Sequence, residues 1–452
     1  MLLPRQPSSF TPLPDGRWLT LGANGAANQR EVAKFSQRDA ERLPRYEAML
    51  EGAARLIEPL LDRPPLDPLR PRVEDLGALA ALAKRVLGNG RAVMDLLELL
   101  RAPASTVLNR WFDGEALRAT LATDSIIGAM VAPSSPGSGY VLLHHVMGDA
   151  GGARGQWAYV RGGMGAFSEA IAASARASGA TIDTDAEVSR ISVSGGRACG
   201  VVLADGREIQ ARQVLSGVDP QLTFLRLLDA GELPNQFRRR VASMDFQTAS
   251  AKINLALDRL PRFTARPDGP EGHELRGTIH LAPTLDYIET AYRDAVNGEP
   301  SRQPVIELTI PSTVDPTLAP PGRHVASMFV QYAPYSLANG GSWDSPGARE
   351  GFAKRVFDVV DEYAPGFSAS ILHHEVLAPP DMERIFGLTG GNIFHGAMSP
   401  HQLYFRRPVP GWSHHATPIR GLYLCGAGTH PGGGVMGACG RNAAMVALQE
   451  RL

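Results

Sequence analysis

The period of hydrophobic and polar positions changes several times along the chain. Over 36–61, Tyr46, Leu50, Ile57 and Leu61 recur at helical spacing, which predicts a helix that Pro64 and Pro65 end. A second helical stretch, 73–101, is interrupted near Gly88 and Gly90. Ser105 reads as the N-cap of a helix "STVLNRWF", and 113–127 as one more helix. The run "APSSPGSGYVLLHHVMGDAGGARG" reads as a loop, a short strand and a glycine-rich loop.

From 157 to 217 the pattern becomes strand, glycine turn, helix and then strands. Gly179 reads as a helix C-cap. Gly195-Gly196 and Asp205-Gly206 interrupt alternating runs, which is the hairpin signal. From 249 to 378 strand-like runs recur in "ASAKINLAL", "GTIHLA", "PVIELTI", "HVASMFVQ" and "ILHHEVLA", with one clear helix at 350–363. These predict a mixed sheet with helical cover. No repeat period or long linker is visible, so the expected chain is compact with interleaved domains.

Composition narrows this picture. A hydrophobic fraction of 44% is ample for a core, and a net charge of −1 gives no sign of a nucleic-acid partner or an acidic membrane surface. No apolar run reaches the ~18 residues of a spanning helix. The N-terminal stretch lacks the charged-then-apolar order of a signal peptide, so the expected compartment is cytoplasmic. Cys199, Cys425 and Cys439 show no metal-like spacing and read as small buried hydrophobes, with a Cys425–Cys439 redox pair as the alternative. The histidine pairs 144–145, 373–374 and 414–415 have no metal spacing or carboxylate cluster beside them, so no metal site is expected.

Three glycine clusters carry the candidate chemistry. "WLTLGANGAANQ" has only G-x-x-G and reads as a turn. "VRGGMGAFSEAI" approaches a dinucleotide fingerprint, but its third glycine is replaced by Ser168, so a tight turn feeding a packed helix is the first reading. "GLYLCGAGTHPGGGVMGACGRNAAM", 421–445, runs from an apolar strand through a loop rich in glycine into a helix of small residues. Free backbone N–H groups and the positive end of a helix dipole favour an anionic or electron-rich ligand there. A glycine turn with close helix packing is the plainer alternative.

The last segment, with "GLTGGNIFHGAMSPHQLYFRRPVPGW" before it, resembles the phytoene-desaturase-like FAD oxidoreductase family. "PSSFTPLPDGR", "FSQRDAERLPRYEAML", "LATDSIIGAM", "GSGYVLLHHVMGD", "YVRGGMGAFSEAI" and "SAKINLALDRLP" continue the likeness over nearly the whole chain. The resemblance implies an α/β (mixed α+β) fold in which a Rossmann-like FAD domain is interleaved with a mixed-sheet and helical substrate domain. The expected division is 157–217 with 420–452 for the FAD domain, and 1–156 with 218–419 for the substrate domain. It implies FAD as cofactor and an apolar or amphipathic small-molecule substrate oxidised by hydride transfer to flavin. By resemblance, Val188 meets the adenine end, and Gly426, Gly428, Gly434, Val435, Met436, Gly437 and Asn442 meet the pyrophosphate, ribitol and flavin. Phe394, His395 and His430 fall near the ring. Lys252 is a candidate flavin-side contact, with a surface or sheet-edge lysine as the alternative.

One departure stands out. The family opens with a strand, a G-x-G-x-x-G loop and a helix, and no such segment precedes "PSSFTPLPDGR". The expectation is therefore an incomplete FAD domain, N-terminally truncated, that binds FAD weakly by itself. Two alternatives stay open: a non-enzymatic relic, and one subunit of a split flavoenzyme that works with a separate FAD-segment polypeptide.

Overall fold

The computed structural model describes residues 1–67, 72–148, 155–267 and 272–449. The chain divides into two compact units. The first comprises Met1–Ala54, Asp95–Ile182 and Ala249–Pro380; the second comprises Arg55–Met94, Asp183–Thr248 and Asp381–Leu452.

A seven-stranded sheet organises the first unit. Its order is Ile371–Leu377, Ser250–Leu257, His324–Gln331, Val305–Thr309, Thr278–Leu281, Ser9–Pro12, Trp18–Leu21. Neighbours are antiparallel except Thr278–Leu281 with Ser9–Pro12. Strict alternation puts Ile253, Leu255, Ile306, Leu308, Met328 and Val330 on one face, buried in the same core as Phe352, Val356 and Val360 of the helix Ala348–Tyr363. The intervening positions belong to the other face. The register places His280 opposite Glu307, Glu307 opposite Phe329, and Phe329 opposite Lys252. These four side chains therefore form a row across four strands.

Most predicted elements are present. The helix over 36–61 is Gln37–Leu61, and the stretch to 101 forms Leu76–Gly88 and Gly90–Arg101. The five strand-like runs are all strands of the sheet. Two expectations are corrected. "GYVLLHHV" is the helix Gly139–Val146 rather than a strand. It is buried nearly all round, so its short apolar run carried no period that separates helix from strand. Ser105 is not an N-cap. The helix Ala104–Trp111 begins after Pro103, and Ser105 lies inside its first turn with its N–H donated to Pro133. Part of the glycine-rich loop expected after Gly148, residues 149–154, lies outside the described residues.

The second unit holds a meander of Val188–Ser194, Arg197–Leu203 and Glu208–Gln210, and a parallel pair of Val214–Ser216 with Leu422–Leu424. The Gly195-Gly196 hairpin needs both residues at positive φ, 58° and 71°, as the sequence pattern required. Ile191, Phe224, Phe237, Val241, Ile419, Leu422 and Leu424 close its core. The units are cut at other points than the sequence reading placed them. Residues 157–182 go with the first unit, because the strand Ala158–Val160 pairs with Leu2–Pro4 and Gly162 donates to Asp315 at 2.6 Å. Residues 218–248 and 381–419 go with the second. Among the described residues no helix is long and apolar enough to cross a membrane.

Candidate functional site

In the second unit the strand Leu422–Leu424 leads through a loop to the helix Ala438–Gln449. The loop glycines fall into two groups. A methyl on Gly426 would collide with the Gly217 carbonyl, one on Gly428 with the Pro220 ring, and one on Gly433 with Phe394. Packing within the chain alone demands glycine at these three. Gly434, Val435, Met436 and Gly437 are instead exposed, Val435 by 73%. They present open backbone just before the helix start, with Gly437 at φ +68° and free space around it. This is the stretch where a ligand can approach the peptide N–H groups.

Arg407 pins this loop. It is fully buried, and its guanidinium donates to five carbonyl oxygens, those of Phe394, Gly396, Ala397, Gln402 and Ala427. The loop 394–402 is thereby fixed against Ala427, inside the glycine loop. His395 lies in the pinned segment at φ +57°. Its Nδ1 is buried without a partner, and burial lowers its pKa. His430 donates Nε2–H to Leu60 O at 2.8 Å and packs edge-on against Tyr404. Burial pushes its pKa down to about 4, so the ring is neutral, and its Nδ1 also lacks a partner. Asn442, on the helix, donates Nδ2–H to Leu61 O at 2.9 Å and leaves its buried Oδ1 unpartnered. Val188 opens the first meander strand opposite Leu203. Cys199, Cys425 and Cys439 are free thiols. Among the described residues no cluster of histidine, cysteine and carboxylates could hold a metal.

Lys252 belongs to the first unit. Its strand lies between His324–Gln331 and Ile371–Leu377, so the residue is not at a sheet edge. It lines a cavity of about 700 Å³ whose walls include Leu43, Leu50, Leu121, Ile127, Val146 and Phe329. Pockets of roughly 300–1,000 Å³ hold small organic ligands. Among the described residues Lys252 has no hydrogen-bond or ion-pair partner, and burial lowers its pKa, assisted by the nearby Arg5 cation.

Among the further ionisable residues that line this cavity are Asp124, His280 and Glu307. Burial raises Asp124 to about 7. Burial, with the Asp124 charge adding to it and Arg5 opposing, raises Glu307 to about 8. His280 is pushed down to about 4 by burial, then by Arg5. Its Nδ1 is 3.1 Å from Thr123 Oγ1, whose proton is given to Thr120 O at 2.8 Å. The hydrogen between them therefore belongs to the imidazole, which fixes the Nδ1–H tautomer. Glu307 Oε1 stands 3.6 Å from the same nitrogen. Sequence reasoning missed all three. The signal was present as polar residues at alternate places of otherwise apolar strands, His280 in "TIHL" and Glu307 in "VIELT".

The fold and the glycine loop define a class, the α/β flavin-binding oxidoreductases. Residues 34–327 match the family model described as flavin containing amine oxidoreductase. The chain is 50% identical to pyridine nucleotide-disulfide oxidoreductase domain-containing protein 2 of Mus musculus, over 99% of this chain and 80% of that protein. It is 25% identical to a lycopene-forming phytoene desaturase of Pseudescherichia vulneris, over 96% of this chain and 80% of that one. Among solved structures, a triple mutant of putrescine oxidase shares the fold with a TM-score of 0.56 at 13% identity, covering 100% of this chain and 83% of that one. The chain belongs to the flavin-containing amine oxidoreductase family, and its cofactor is FAD.

The residues fit such a group. The exposed Gly434–Gly437 backbone, the apolar Val435 and Met436 beside it, and the unpartnered buried Asn442 Oδ1 are what the electron-rich ring and polar ribitol of a flavin would cover.

Proposed function

We propose that the chain is a flavin-dependent dehydrogenase that takes hydride from an apolar or amphipathic molecule seated in the cavity of the first unit. The cavity carries this reading: it holds about 700 Å³, and its walls mix apolar side chains such as Leu43, Leu50, Leu121, Ile127, Val146 and Phe329 with many polar ones. FAD, when bound, supplies the two-electron acceptor. Gly434, Val435, Met436, Gly437 and Asn442 would hold its flavin end, and Val188 would lie toward its adenine. Gly426 and Gly428 serve by letting the loop close on Gly217 and Pro220. The positive end of the helix Ala438–Gln449 favours negative charge at its start. His430 is neutral and held by Leu60, so it orients rather than protonates. Relatives named for phytoene desaturation and limonene dehydrogenation point the same way on substrate polarity.

The test is spectroscopic. The full chain is titrated with FAD, then mixed anaerobically with unsaturated and saturated amphipaths. Bleaching of the oxidised flavin band by one of them is the expected result. A folded chain that never takes up flavin sinks the reading in favour of a binding module. One that takes it up only with a co-purifying polypeptide supports the two-chain form.

A further inference from the structure

The row His280–Glu307–Phe329–Lys252 gives the cavity two unlike ends. At one end Glu307 stands beside His280 and shares the wall with Asp124. At the other, two strands away, is Lys252. Adjacent strands are about 4.8 Å apart, so the Lys252 and Glu307 backbones are about 10 Å apart with Phe329 between them. That spacing explains why the ammonium and the carboxyl do not meet, although both face the same space.

We infer that the cavity binds an amphipathic carboxylate, with its head on Lys252 and its chain along Leu43, Leu50, Leu121 and Ile127. Lys252 is a cation on these walls for which no hydrogen-bond or ion-pair partner is found among the described residues. It sits mid-sheet and mostly covered, and burial and the Arg5 charge both weaken its hold on its proton. A half-buried ammonium gains most from a ligand anion that repays its lost hydration. The other charged and titratable groups on the walls are Arg5, Tyr46, Glu47, Glu51, Asp124, His280 and Glu307. Arg5 is engaged, donating to Thr278 Oγ1 at 2.8 Å and lying 4.3 Å over the Tyr159 ring. Glu47, Asp124 and Glu307 are all shifted by burial toward their neutral forms, so they oppose an entering anion less than three carboxylates in water would. The neutral form also donates a hydrogen bond to a carboxylate oxygen. An ammonium head is repelled by Arg5 and Lys252, and Glu47, Asp124 and Glu307, shifted toward their neutral forms, attract it less than ionised carboxylates would.

This assignment rests on the cavity being the substrate's seat, as proposed above. Binding is measured without turnover, so the two can fail separately. The full chain is titrated calorimetrically, below micelle concentrations, with laurate, dodecanol and dodecylamine. Laurate is expected to bind one-to-one, about tenfold or more tighter than dodecylamine. Lys252→Met is expected to weaken laurate by about tenfold or more while leaving dodecanol unchanged, and Lys252→Arg to retain most of the affinity. No laurate binding, tighter dodecylamine binding, or a folded Lys252→Met protein that binds laurate like the parent overturns the assignment. The head-group comparison on the parent protein decides the matter even if the methionine variant fails to fold.

Discussion

Arg407 grips Ala427 with two of its nitrogens, Nε at 3.0 Å and Nη2 at 2.8 Å from the same carbonyl oxygen. The same side chain ties down four carbonyls between Phe394 and Gln402. A single cation thus joins two irregular segments that have no strand or helix to align them. Arg407→Leu leaves these acceptors buried and is expected to destabilise the second unit by about 3–5 kcal/mol. Urea unfolding followed through Trp412, the second unit's tryptophan, checks this. A loss under about 1 kcal/mol would show that the carbonyls find other donors.

The loop glycines differ in what they tolerate. Gly426→Ala drives a methyl into the backbone oxygen of Gly217, which has no flexible end to yield. The expected cost is about 2 kcal/mol or more, with loss of flavin retention. Gly440→Ala enters a helix interior with nothing within 4 Å. It is expected to stabilise by about 0.4–1 kcal/mol. Denaturation midpoints of the two variants should move in opposite directions.

Glu307 makes the first unit sensitive to alkali. Its folded pKa, about 8, lies above its ordinary value of 4.5. The folded state therefore holds a proton that the unfolded state releases across that window, and stability falls as pH rises from about 4.5 to 8. In Glu307→Gln this part of the slope is absent. The variant's melting temperature relative to the parent should climb by several degrees between roughly pH 6 and pH 9. A pH-independent difference would refute the buried proton.

His415 and His430 give the second unit the opposite weakness. Both are pushed from 6.5 to about 4, chiefly by burial. Unfolding lets them charge, so the stability they confer is present above about pH 6.5 and is lost as pH falls toward 4. Trp412 fluorescence should report melting of the second unit at lower temperature at pH 4.5 than at pH 7, with His430→Gln showing a shallower slope. Equal slopes for variant and parent would mean that His430 is already protonated in the fold.

Much of the architecture was legible because two-sided strands announce themselves. "KINLAL" and "ELTI" alternate, and the sheet they form has one face in the core and one on the cavity. The helix Gly139–Val146 was not legible, since a short segment buried nearly all round has no polar side to set its period. Lys252 was singled out as a candidate flavin-side contact, but its place in the middle of the sheet was not legible. Which strands flank it depends on pairings between residues up to 125 positions apart, such as Lys252 with Leu377. The glycine cluster was read as a ligand loop. That its first members make room for the chain itself, while Gly434–Gly437 stay open, needed the neighbours Gly217, Pro220 and Phe394 in space.

The row across the sheet also guards against misfolding. A one-residue slip of the strand Val305–Thr309 would turn Glu307 into the core beneath the helix Ala348–Tyr363 and send Ile306 and Leu308 into the cavity. The same polar residues that give the cavity its two ends therefore proofread strand pairing. Removing them to make a greasier pocket would relax that check, and off-register sheets would begin to compete with the native one.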